Sequence, residues 1–143
     1  MKNFKPWGVI LALLLFTELG WAVERRNIKP NQLPPAAQQY LKSSLGAYSI
    51  RTVTLLVDGF RNNYEVLLAD GTLVKFNRDG GWKSVVSPNA LPEEAFPSEI
   101  WDFLKEHHKR KPVYSIVREP QGYTLTMDGD KQLKFDNHGN QVK

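Results

Sequence analysis

From Tyr64 onward the chain alternates apolar and polar residues, and the alternation is broken by glycine at regular places. Tyr64, Val66 and Leu68 fall on one side, a break follows at Asp70-Gly71, Val74 and Phe76 resume the same side, and a second turn comes at Gly80 before Trp82 to Val86. Tyr123, Leu125, Met127, Leu133 and Phe135 repeat the pattern around Asp128-Gly129, with a later turn at Gly139. A period of two bounded by turn residues is the signature of antiparallel strands joined by hairpins. Tyr64 and Tyr123, Val74 and Leu133, Lys75 and Lys134, Phe76 and Phe135, and Gly80 and Gly139 all stand at a constant offset of 59. A helical period appears twice as well. Ala37, Tyr40, Leu41, Ser44 and Leu45 lie on one helical face, entered through Leu33-Pro34-Pro35, and Ile100, Phe103, Leu104 and His107 echo them after Phe96-Pro97 at an offset of 63. Proline suits a first helical turn because its missing N–H would have no partner there.

These patterns predict an α+β fold of two tandem helix-plus-antiparallel-meander repeats, 33–86 and 96–143. The difference between the two offsets places four extra residues between Leu45 and Asn63, which a longer first hairpin absorbs. Trp82 to Val86 forms a fourth strand in the first unit, while the second unit ends at Lys143 with only Gln141 and Val142 available for its own. Gly80 and Gly139 are expected at positive φ. The residues on the far side of the strands define a candidate surface. In the second unit it is polar, with Thr124, Thr126, Gln132 and Lys134. In the first, Leu67, Leu73 and Val85 stand among Lys75 and Lys83, so these five form the candidate partner-binding set.

The N-terminus changes the picture of where this protein works. Lys2 and Lys5, an apolar run from Trp7 to Phe16, and Gly20-Trp21-Ala22 match a secretory signal peptide over residues 1–22, and Glu18 cuts the run too short to span a bilayer. The expected product is periplasmic or secreted, with no transmembrane segment after cleavage. Residues 23–32 are polar and charged and are expected to fray as a flexible tail ahead of a single domain, 33–143. There is no cysteine among the 143 residues, which excludes disulfides and lipidation at cysteine. Removing residues 1–22 leaves 17 basic and 14 acidic side chains, a net charge of about +3, too small to point to a polyanion.

The motifs resemble a known family. Leu33-Pro34 with Tyr40-Leu41-Lys42, Y-E-V-L-L-A-D-G from Tyr64, V-K-F-N-R-D-G-G-W-K from Val74, and F-P, F-L-K, Y-T-L-T-M and L-K-F-D-N-H-G in the second half are similar to the PepSY-like, beta-lactamase-inhibitor-like group of secreted bacterial proteins. The resemblance covers residues 33–143. It implies a duplicated α+β unit with antiparallel sheets, exported and non-enzymatic; its motifs belong to the scaffold and specify fold more closely than activity.

Chemistry-bearing motifs are few. There is no Gly-rich phosphate loop, H-E-x-x-H or G-x-S-x-G, and no cofactor is expected. His107 and His108 are adjacent, about 100 degrees apart on a helix, and cannot hold one ion together from that helix. Glu99, Asp102 and Glu106 read as a solvated helix face. Asn77-Arg78-Asp79-Gly80 and Asp136-Asn137-His138-Gly139-Asn140 lack the spaced acidic ligands of a calcium loop and read as turns. Lys105, His107, His108, Lys109, Arg110 and Lys111 form the densest basic cluster, suited to a helix C-terminus or to an anionic partner. Trp82 either caps the core or presents its ring. The leading expectation is a non-enzymatic binding or inhibitory module whose partner is an envelope or extracellular protein or peptide, with nucleic acid disfavoured by export. A small envelope enzyme and a basic envelope-associated structural protein are the alternatives. The oligomeric state is not legible.

Overall fold

The computed structural model describes residues 22–46, 48–109 and 111–143. The segment expected to be a signal peptide, residues 1–22, lies outside the described residues except for Ala22. Nine strands form one continuous antiparallel sheet in strict chain order, β1 to β9. They are β1 Glu24–Ile28, β2 Ile50–Asp58, β3 Arg61–Leu68, β4 Leu73–Phe76, β5 Trp82–Val86, β6 Val113–Glu119, β7 Gly122–Met127, β8 Gln132–Asp136 and β9 Gln141–Val142. Helix α1, Pro35–Leu45, interrupts the meander between β1 and β2, and α2, Ser98–His107, between β5 and β6.

This architecture corrects the expected pair of tandem helix-plus-meander repeats. β5 does not end a unit, because Ser84, Val85 and Val86 pair with Val117, Ile116 and Ser115 of β6 and join all strands into one sheet. Alternation reports which side a residue faces; it does not report whether a strand's edge is free or paired. Residues 23–32 also depart from expectation. Instead of fraying, Glu24–Ile28 pair with Val53–Val57 as an edge strand. Ile28 packs against the core, and Arg25 reaches over β2 to the Glu65 carboxylate at 3.1 Å. The strand is hard to see in advance because an edge strand can be almost wholly polar.

The core occupies one face of the sheet. A single cross-strand row, Val53, Val66, Val74, Val85, Ile116, Leu125 and Leu133, runs over seven strands, and each of these side chains is buried. Ala37, Leu41 and Leu45 of α1 and Ile100 and Leu104 of α2 belong to the same cluster, so both helices cover that one face. Fully burying a side chain of this size contributes roughly 1.5–3 kcal/mol, which makes the row the main source of the sheet's cohesion.

The helices are anchored by turns. Gly80 and Gly139 adopt φ of 90° and 83°. Gly80 lies so close to the start of α1 that an added Cβ would sit 2.8 Å from Pro34 Cβ and 2.9 Å from the Ala37 nitrogen, and one at Gly139 would sit 2.5 Å from Glu99 Cβ on α2. Both turns share one internal device. Asn77 Oδ1 accepts the N–H groups of Asp79 and Gly81, and Asp136 Oδ1 accepts those of His138 and Asn140. The hairpin β2–β3, with strands of 9 and 8 residues, outreaches β6–β7, with 7 and 6.

Candidate functional site

The side of the sheet away from the helices is covered by no other element among the described residues. Its residues follow from register. Glu65 pairs with Lys75, Lys75 with Ser84, Ser84 with Val117, Val117 with Thr124 and Thr124 with Lys134. Beside this row runs a second, Leu67, Leu73, Val86, Ser115, Thr126 and Gln132. Aliphatics therefore concentrate on β3 to β6, where Leu67, Leu73, Val86 and Val117 are near neighbours, and hydroxyls and amides take over on β7 and β8. Leu73, Lys75, Ser84, Val86 and Val117 line a shallow groove of about 660 Å³, together with Gly71, Ser87 and Pro88.

Of the five residues expected on this surface, Leu67, Leu73 and Lys75 are brought together, with both leucines half-buried and Lys75 exposed. Lys83 is exposed at a β-bulge. Val85 is not on the surface at all; it is 0% exposed and pairs with Val74 in the core row. The bulge is the reason. Phe76 pairs with Trp82 and Lys75 with Ser84, so Lys83 is an extra residue that reverses the parity of everything after it. Val86, 46% exposed, takes the outward place that strict alternation assigns to Val85. Val86 was missed for this reason and Val117 because the pairing of β5 with β6 was not expected; the charged Lys83 directly after a turn and Trp82 is a local trace of the bulge. Phe60, at the tip of β2–β3, was also missed and is 98% exposed.

The helix-covered face holds a different polar-aromatic feature. Trp82 stacks between Tyr40 of α1 and Tyr123 of β7, with ring centroids 5.8 and 6.0 Å away, and the Arg118 guanidinium lies 5.2 Å from the centre of its ring. Trp82 thus serves the packing of α1 against the sheet. Burial pushes the Tyr40 hydroxyl well above the usual phenol range, partly opposed by Arg118, and the hydroxyl donates to the Ala95 carbonyl at 3.5 Å. A phenol so held stays protonated at neutral pH and acts as a donor.

The remaining candidate groups are dispersed. Glu99, Asp102 and Glu106 are exposed on α2, and Asp102 pairs with Lys105 at 3.3 Å. His107 stacks on Phe103 with centroids 4.2 Å apart, while His138 sits in the β8–β9 turn. Among the described residues, no group of three or more His, Cys, Asp or Glu side chains is placed to hold a metal ion. No helix among them is long and apolar enough to cross a membrane.

The family model described as "Putative beta-lactamase-inhibitor-like, PepSY-like" matches residues 62–143. The chain belongs to this PepSY-like family. Among solved structures it is similar to a "putative calcium-regulated periplasmic protein" of Bacteroides thetaiotaomicron, with a TM-score of 0.74 and 24% identity over 83% of this chain and 94% of that one. It is also similar to two periplasmic proteins of Bacteroides vulgatus. One has a TM-score of 0.73 and 24% identity over 84% and 95% of the two chains; the other has 0.71 and 26% over 87% and 98%. The PepSY-like fold is thus shared along nearly the whole length of each neighbour, and the expected periplasmic or secreted location is that of all three. No relative was found among curated proteins.

Proposed function

We propose that this PepSY-like protein is an exported, non-enzymatic binding module that receives a protein or peptide partner on its uncovered sheet face. One observation carries the reading: both helices lie on one side of a continuous sheet, leaving Leu67, Leu73, Val86 and Val117 as an aliphatic patch on β3 to β6 beside Lys75. A clustered apolar patch with a charged margin is what protein interfaces use, aliphatic at the centre and polar at the rim. The groove is shallow and lined by two hydroxyls and one lysine, which suits a docked chain segment better than a reacting substrate. One neighbour is described as calcium-regulated; in this chain the Asp136 carboxylate accepts N–H donors from His138 and Asn140 within its turn.

The test is affinity capture from an envelope extract, comparing the mature chain with Leu73→Asp combined with Lys75→Glu. Binding energy usually concentrates in a few central residues, so the double variant is expected to weaken capture of the same partner by at least about tenfold. Full-strength capture by that variant, together with loss of capture when the Lys105 to Lys111 cluster is neutralised, moves the site to the basic cluster and overturns the proposal.

A further inference from the structure

A second concavity lies on the helix side, where the C-terminal half of α2 meets the connector before it and the start of β6. Its volume is about 470 Å³, within the range of small-molecule sites. Leu91, Phe96, Trp101, Leu104 and Val113 make its wall, with Phe96 stacked on Trp101 at 5.7 Å. Lys105, Lys109 and Lys111 belong to its lining, and no carboxylate does. Lys105 also pairs with Asp102. Two lining residues carry buried polar atoms without a hydrogen-bond partner, the indole Nε1 of Trp101 and the Nδ1 of His108. Orphaned buried groups cost free energy and are rarely left so without reason.

The chemistry of these atoms restricts what fits. A lysine ammonium only donates, so a ligand that meets these side chains must bring acceptors. The wall above is aliphatic and aromatic, so the rest of that ligand must be apolar. We infer that this cavity binds a medium-chain fatty carboxylate, its chain against Leu91, Phe96, Leu104 and Val113 and its carboxylate toward Lys109 and Lys111. The site lies on the opposite side of the sheet from the groove proposed for a protein partner, so the two readings stand or fall separately. Burial, reinforced by Lys131, Lys111 and His107, holds His108 below the ordinary imidazole range, and the ring enters the cavity wall neutral at neutral pH.

The experiment titrates the mature protein with dodecanoate by isothermal calorimetry, with dodecyltrimethylammonium as the charge-inverted probe. One saturable site for the carboxylate is expected, with the ammonium bound at least about tenfold more weakly because the lining lysines attract an anion and repel a cation. Lys109→Gln with Lys111→Gln should weaken dodecanoate by a few-fold to about tenfold. Circular dichroism confirms that the variant is folded. Absence of saturable dodecanoate binding overturns the inference. So does equal binding of both amphiphiles, or binding untouched by the two lysine substitutions.

Discussion

On the helix side of the sheet the row from Val53 to Leu133 is aliphatic across seven strands, whereas one residue along each strand the facing row reads Thr54, Glu65, Lys75, Ser84, Val117, Thr124 and Lys134. The two rows share a backbone and its hydrogen bonds, so side-chain identity at alternate positions alone makes one face a core and the other a surface. The difference separates stability from recognition. Substitutions on the covered face should act through folding and those on the open face through binding, and the most direct way to break this comparison is to find one that crosses over.

The largest effect is expected at Phe76, fully buried and edge-on to Tyr40. Phe76→Ala should cost about 3–5 kcal/mol in denaturant unfolding, as a large-to-small core change does. A cost below about 1 kcal/mol would remove the central place given to that face. Next come the glycines beneath the helices. Ala at Gly80 or Gly139 should destabilise by about 1 kcal/mol or more, because it meets positive φ and the start of α1 or the side chain of Glu99 together. Unchanged midpoints would mean that these turns do not anchor the helices.

The two turns also differ in charge, which sharpens the comparison. The N–H of Asn140, with that of His138 and the Asn140 amide, holds the Asp136 carboxyl below its ordinary range, whereas Asn77 fills the same role without ionising. A depressed folded-state value means that the contribution of Asp136 is present above the unfolded value of about 3.9 and is lost as pH falls through the folded value. Asp136→Asn should flatten the stability profile below about pH 4 by removing at neutral pH the contribution of the ionised carboxylate, so that the two proteins differ most at neutral pH and converge in acid. An identical acid profile would show that the carboxylate adds nothing to its turn. The smallest effect is expected at Phe60, where the ring is 98% exposed: Phe60→Ser should change stability by no more than about 0.5 kcal/mol by thermal unfolding.

How far the molecule was legible depends on the kind of information each feature carries. Face assignments on β3, β4, β7 and β8 follow from alternation, and the buried Val66, Leu68, Val74, Phe76, Leu125 and Phe135 are where that pattern puts them. Both helices follow from their apolar spacing. Val85 could not be placed because one inserted residue at Lys83 reverses parity, and a bulge is set by pairing with β4 rather than by local composition. The joining of β5 to β6 and the recruitment of Glu24–Ile28 as an edge are likewise pairings between distant segments, invisible to a window of neighbouring residues. The cavity at the end of α2 is of the same kind, since it exists only where the connector around Leu91 and the Lys105 to Val113 segment are folded together.

The central claim is that a partner meets the sheet face that the helices leave open. A photo-reactive residue placed at Leu73, compared with one at the exposed Asp102 of α2, tests it in the envelope itself. The account predicts a crosslinked protein adduct from position 73 and none from position 102; an adduct from position 102 alone would contradict it.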